Sequence, residues 1–192
     1  MRELTYFVAA TVDGFICAPD GSFDFFPDAE DTGEFLFGEY PEIVPTQFRA
    51  AVGIDGRENR HFDTVVQGRV SYEIALKEGI TGPYAHMRQY VASTTITESP
   101  DPDVHIISGD PVEAVRGLKR EDGGLGICLI GGAALAGALY PEIDAVFLKR
   151  YPVMAGAGKP LFIGAEFSPA EFQPVFRQVF DSGADYTLFR RR

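Results

Sequence analysis

The chain has 192 residues, 45% of them apolar, 12% aromatic and 23% charged, which suits one folded domain over residues 1–192 with a core that needs no disulfide or metal staple. Twenty-eight acids against 17 bases leave a net charge of −11, a field that repels phosphodiester backbones and anionic lipid, so no nucleic-acid or membrane partner is expected. No apolar run approaches the roughly 20 residues of a membrane span.

Met1-Arg2-Glu3-Leu4 passes straight into a strand pattern, without the apolar segment of a signal peptide. Leu4–Thr11 (LTYFVAAT) is a nearly continuous β-prone run, which predicts a central strand covered on both faces. Asp13-Gly14 breaks it, Phe15–Ala18 resumes briefly, and Pro19-Asp20-Gly21 turns the chain. Residues 20–42 form an acidic, aromatic loop with a short helix predicted near Asp31–Tyr40, and a second short helix is predicted around Gln47–Val52, bracketed by Pro45 and Gly53.

Asp63–Gln67 reads as a buried strand ending at Gly68, followed by a helix over Arg69–Glu78. A helix around Tyr84–Gln89 is predicted before short strands at Tyr90–Ser93 and Val104–Ile107. Pro111–Glu121 is a helix with Pro in its first turn and Asp110 as N-cap. Gly126–Ile130 is a buried strand, then Gly131-Gly132, then a helix over Ala133–Tyr140, then a strand over Asp144–Tyr151. Val175–Phe180 and Tyr186–Arg190 pair as a closing hairpin across Asp181-Ser182-Gly183. The expected fold is α/β and three-layered: a mixed, mostly parallel sheet with flanking helices and a C-terminal antiparallel hairpin. Cys17 and Cys128 sit far apart in apolar runs and read as buried free thiols in a reducing cytoplasm.

Three strand-to-helix junctions carry ligand-binding chemistry. Gly131-Gly132 removes two Cβ atoms at a helix start, where unpaired N–H groups suit a phosphate; a plain tight turn is the competing reading. Gly68-Arg69 repeats the arrangement with a guanidinium able to clamp two oxygens, or simply to pair with Glu73 one turn on. Ser93-Thr94-Thr95 offers short donors at a third strand end, or an ordinary turn. All three lie at carboxyl ends of strands, where open α/β sheets bind ligands. Gly156–Pro160 is not a phosphate loop, because Pro160 stands where a magnesium-binding Ser or Thr belongs. His61, His86 and His105 are scattered, and no metal site is expected.

In this order Tyr6–Ile16 (YFVAATVDGFI), Thr64–Glu73 (TVVQGRVSYE), Tyr90–Thr95 (YVASTT), Ile127–Leu139 (ICLIGGAALAGAL) and Ile143–Phe162 (IDAVFLKRYPVMAGAGKPLF) resemble the dihydrofolate reductase superfamily. The branch they are most similar to is that of stand-alone proteins like the C-terminal reductase domain of bifunctional riboflavin-biosynthesis (RibD) proteins. The resemblance implies NADPH as hydride donor to a pteridine- or pyrimidine-like heterocycle, as in 5-amino-6-(5-phosphoribosylamino)uracil reductases, and a homodimer. It implies a cis Gly131–Gly132 bond. Ala10 and the Asp13-Gly14 turn would flank the nicotinamide. Gly68, Arg69 and Ser71 would take phosphate or ribose, and Ser93 and Thr94 the 2′-phosphate side. Gly131, Gly132, Ala133 and Ala134 would hold the pyrophosphate. Asp31 or Asp13 would orient the acceptor or guide a proton, and Phe25 and Phe35 would cover it. Two departures stand out. Ile130 occupies the place of a Glu common in the riboflavin-pathway reductases, and Val70–Glu73 replaces their Ala-Asp-Asp-Pro segment. The competing functions are a non-catalytic nucleotide-binding or sensing module on the same fold and a true dihydrofolate reductase.

Overall fold

The computed structural model describes residues 1–122 and 124–192. Its strands are β1 (Leu4–Ala10), β2 (Phe15–Cys17), β3 (Phe62–Gly68), β4 (Arg88–Ala92), β5 (Val104–Ile107), β6 (Gly126–Gly131), β7 (Ala145–Arg150), β8 (Lys159–Pro160), β9 (Phe172–Val179) and β10 (Asp185–Arg191). The helices are α1 (Glu30–Glu39), α2 (Thr46–Arg49), α3 (Arg69–Lys77), α4 (Pro111–Arg120) and α5 (Ala133–Ala138), with 3-10 turns at Pro41–Ile43 and Tyr140–Glu142.

Eight strands form one sheet in the order β5-β4-β3-β6-β1-β7-β10-β9, and β2 pairs with β8 in a separate ribbon. The strands from β5 to β7 in that order run parallel, while β10 runs antiparallel to β7 and β9 antiparallel to β10. This is the mixed, mostly parallel sheet with a closing antiparallel pair that the pattern of runs and turns predicts. β1 sits centrally, and all but one of its residues are buried, as an apolar run covered on both faces requires.

Alternation along the strands sorts side chains onto two faces. Leu4, Tyr6 and Val8 of β1, Val66 of β3, and Ile127 and Leu129 of β6 meet Val115 and Leu118 of α4 and Leu135 and Ala136 of α5. On the opposite face Phe7, Val65, Cys128 and Phe147 pack with Tyr40, Phe62, Tyr84 and Tyr186, and Phe35 and Leu36 of α1 lie against them. α3 covers the far end of this second face, where Tyr72 closes on Val91 of β4 and Val104 of β5.

Local departures have local causes. Residues 84–89 are not a helix: a turn leads directly into β4, and the Gln89 side-chain carbonyl accepts the Tyr84 N–H at 2.8 Å. The helix expected at Gln47–Val52 is one turn, Thr46–Arg49, because the Arg49 guanidinium donates to the carbonyls of Pro41 at 2.7 Å and Arg57 at 2.5 Å and holds the segment without further helix. α5 yields to a 3-10 turn at Tyr140, where Pro141 removes a backbone donor. The β2–β8 ribbon was not expected from the sequence; it pairs Cys17 with Lys159 and ties the Gly156–Pro160 segment to the end of β1. Cys128 is buried and Cys17 part-buried, both as free thiols. No helix among the described residues is long and apolar enough to cross a membrane.

Phe147 is fully buried and stacks on Phe7 with ring centroids 4.6 Å apart. Phe147→Ala is expected to cost about 3–5 kcal/mol in urea unfolding; a loss under about 1 kcal/mol would contradict a close-packed second face.

Candidate functional site

The parallel strands present their carboxyl ends along one edge of the sheet, and two glycine junctions meet there. Gln67 of β3 is the register partner of Gly131 of β6. A Cβ on Gly68 would stand 3.3 Å from the Gly132 nitrogen and 3.6 Å from the Gly131 carbonyl oxygen, so a side chain here would crowd the two turns where they meet backbone to backbone. Gly131 has φ +126, which side-chain-bearing residues rarely adopt, and the Gly131–Gly132 peptide bond is cis. A Cβ on Gly131 or Gly132 would meet only the Ser71 hydroxyl, at 3.6 and 3.9 Å respectively. The Gly-Gly backbone therefore faces the Ser71 hydroxyl, on the first turn of α3, across a space that a single Cβ would bring into ordinary contact. Gly68 precedes that helix and offers no side-chain cap, which leaves its leading N–H groups available. Ala133 is buried at the start of α5 and Ala134 is exposed beside it.

The other nominated cofactor residues surround this edge in different states. Arg69 opens α3 and pairs with Glu73 at 2.6 Å, both part-exposed. Ser93 follows β4, but its hydroxyl accepts the N–H groups of Thr95 at 3.2 Å and Ile96 at 2.8 Å, so it shapes the turn and leaves the exposed Thr94 as the freer hydroxyl. Ala10 ends β1, and Gly14 completes the next turn with φ +87.

The carboxylates nominated for chemistry are engaged by backbone. Asp13 accepts the Thr11 hydroxyl at 2.6 Å and the N–H groups of Ala155 at 3.1 Å and Gly156 at 2.7 Å. These bonds, the Thr11 hydroxyl foremost, hold its carboxyl down at about 2. Asp31 accepts the Ser182 N–H at 3.0 Å, which ties α1 to the β9–β10 turn and lowers its pKa. Phe35 is enclosed by Tyr40, Phe176, Phe180 and Tyr186, so it packs the second face. Phe25 stacks on Phe26, which in turn meets Tyr151 just past β7.

Cover on the second face withdraws toward the carboxyl edge. Phe7, Cys128 and Phe147 are buried, whereas Ala9, Ile130 and Lys149, two residues further along the same strands, are part-exposed. The result is a cleft floored by β6, β1 and β7, with α3 on one side and α1 and the Phe25-Phe26 pair on the other. The Lys149 ammonium lies 5.1 Å from the Phe7 ring centroid, and burial pushes its pKa down to about 8. Sequence reasoning missed this residue. Its signal is the alternation Ala145-Phe147-Lys149, which puts a lysine on the core-facing side of a strand.

Solved structures share this architecture. A "putative riboflavin biosynthesis protein" from Shewanella sp. PV-4 aligns over 100% of this chain and 99% of its own, at TM-score 0.70 and 24% identity. A Thermotoga maritima diaminohydroxyphosphoribosylaminopyrimidine deaminase/5-amino-6-(5-phosphoribosylamino)uracil reductase aligns over 100% of this chain and 57% of its own, at TM-score 0.64 and 15% identity. Dihydrofolate reductase from Enterococcus faecalis, complexed with NADP(H) and RAB-propyl, aligns over 99% of this chain and 96% of its own, at TM-score 0.64 and 15% identity. The chain has the dihydrofolate reductase-like fold. In sequence it is 28% identical over 166 residues to the uncharacterized protein YwjB of Bacillus subtilis (strain 168), covering 84% of this chain and 83% of that one. No family model matches the chain.

A separate cavity of about 470 Å³ lies at the opposite, amino-terminal edge of this dihydrofolate reductase-like sheet, among Arg2, Arg60, His61, Glu121 and Arg190. Its arginines are already paired: Arg2 with Asp63 and Glu121, Arg60 with Glu39, Arg190 with Glu3. It is remote from the glycine junctions.

The Asp13 carboxyl is more acidic folded than its ordinary value of 3.8. Its stabilising contribution is therefore complete above about pH 4 and lost as pH falls through about 2. Asp13→Ala should lower the melting temperature at pH 6 and converge with the unaltered protein near pH 2; a pH-independent difference would refute the carboxylate anchor.

Proposed function

We propose that the chain is a single-domain, cytoplasmic, homodimeric reductase that uses NADPH and passes a hydride to a flat, electron-poor heterocycle. The observation that carries this reading is the Gly131-Gly132 backbone, bare of Cβ atoms and facing the Ser71 hydroxyl, where a Cβ at either glycine would come into contact with Ser71. A phosphorylated cofactor needs such close backbone approach together with free N–H donors. The printed names of the Thermotoga reductase and of the Enterococcus enzyme with NADP(H) support the same direction.

On this reading Gly131, Gly132, Ala133 and Ala134 hold the pyrophosphate, with Ser71 donating from α3. Arg69 and Thr94 take the 2′-phosphate side. Giving up the exposed Arg69–Glu73 pair costs only about 0.3–0.5 kcal/mol, whereas a hydrogen bond to a charged phosphate contributes about 1.5–3 kcal/mol, so Arg69 changes partner at a net gain. Ala10 and Gly14 present small surfaces beside the nicotinamide, whose contribution when bound is the hydride. Asp13 fixes the Ala155-Gly156 loop against the end of β1. Phe25 and Phe26 flank the cleft near Tyr151 and exclude water from it.

With Ile130 in place of the riboflavin-pathway Glu, the acceptor differs from the phosphoribosylamino-pyrimidine of that pathway. The tie of Asp31 to Ser182 leaves that acid engaged and weighs against a folate substrate. A second reading, a nucleotide-binding module without turnover, draws on the same engagement of Asp13 and Asp31. NADPH consumption with a panel of pteridines, pyrimidines and quinones separates the two.

NADPH titration followed by its fluorescence should show micromolar binding. Gly132 has φ −95, so Gly132→Val should fold yet lose cofactor binding at least tenfold; a folded variant with unchanged affinity refutes the cradle. Arg69→Ala should weaken NADPH more than NADH; equal weakening of both would move Arg69 to the pyrophosphate, and unchanged affinity for both would return it to its pair with Glu73.

A further inference from the structure

The cleft floor carries a cation that the chain does not neutralise. Lys149 belongs to none of the ion pairs among the described residues. It faces the Phe7 ring, Cys128 of β6 acts on it electrostatically, and Tyr186 of β10 is its register partner. The Tyr186 hydroxyl is already bonded to that of Tyr151 at 2.7 Å, and Glu42, on the far side of Cys128, gives Oε1 to the N–H groups of His61 and Phe62 and keeps a buried Oε2 without a partner among the described residues. A second donor without a partner, the buried Gln67 side-chain nitrogen, lies on the same face at the β3 side of the cleft.

A partly desolvated ammonium without a counter-charge destabilises a fold. A fold that keeps one beside a ligand cleft gains in binding what it loses in stability. We propose that Lys149 determines acceptor specificity: its ammonium takes an oxygen-bearing, negatively polarised edge of the heterocycle, so that oxo and acidic rings are accepted and amino-substituted, cationic rings are refused. The nominated acids of the cleft, Asp13 and Asp31, are held by backbone N–H groups. A ring presenting only N–H donors would therefore face Lys149 and Gln67 with like groups, a mismatch that costs the desolvation of both sides. This inference rests on the reductase reading for what becomes of the bound ring, but it concerns binding alone.

The test uses the full chain at pH 7 with two flat probes: lumazine, which has two ring carbonyls, and 2,4-diaminopteridine, which has amino groups in their place. Dissociation constants are measured by probe fluorescence for the unaltered protein, Lys149→Met and Lys149→Gln, with NADPH titrated in the same samples. The unaltered protein should prefer lumazine by at least tenfold. Both variants should lose that preference while keeping NADPH affinity, and Lys149→Met should melt at a higher temperature, because a buried charge has been removed. Equal lumazine affinity in the protein and both variants overturns the proposal, as does a preference for 2,4-diaminopteridine or failure of the unaltered protein to bind lumazine. Lys149-dependent lumazine binding without NADPH binding would instead sink the cofactor reading and leave this one standing.

Discussion

The structure depends on one close approach. The turns that end β3 and β6 meet backbone to backbone, Gly68 against Gly131-Gly132, at a separation where a Cβ on Gly68 would be crowded against the Gly132 nitrogen. That contact sets where α3 and α5 begin, and it brings Ser71 opposite the Gly-Gly backbone. The same absence of Cβ atoms that permits the packing leaves the opening that a phosphorylated ligand would use.

The charged groups near this edge divide into those the fold has consumed and those it has not. Asp13 fastens a loop and Asp31 fastens a hairpin, both through backbone N–H donors, so neither carboxylate is spare. Arg69 is engaged only by an exposed pair one turn away, which is worth little in water. Lys149 is in no ion pair among the described residues. In a chain of net charge −11, such a cation is the basis of the proposed preference for oxygen-rich ligands.

Much of the fold was legible because its signals are local. Continuous apolar runs marked β1, β3 and β6, Asp110 with Pro111 marked the start of α4, and Asp181-Ser182-Gly183 marked the hairpin turn. The glycine junctions were legible as well, since strand, glycine and helix follow one another directly. What stayed hidden depends on distant partners. Nothing near Asp13 or Asp31 announces that their acceptors' donors lie 143 and 151 residues away. The turn before β4 is held by the Gln89 side chain reaching back to Tyr84, so its polar and aromatic residues mimic a helix without forming one. The enclosure of Phe35 needs the C-terminal hairpin to be in place first. Lys149 was visible in the strand alternation, but its lack of a partner is a property of the packed sheet alone.

A crystal structure of the chain soaked with NADPH tests the account most directly. The account predicts pyrophosphate density within hydrogen-bond reach of the Gly132–Ala133 backbone and the Ser71 hydroxyl, with the nicotinamide ring beside Ala10 and Gly14. Density for the cofactor at the amino-terminal edge beside Arg2 and Arg190, or a Gly131-Gly132 turn that stays clear of it, would contradict the account.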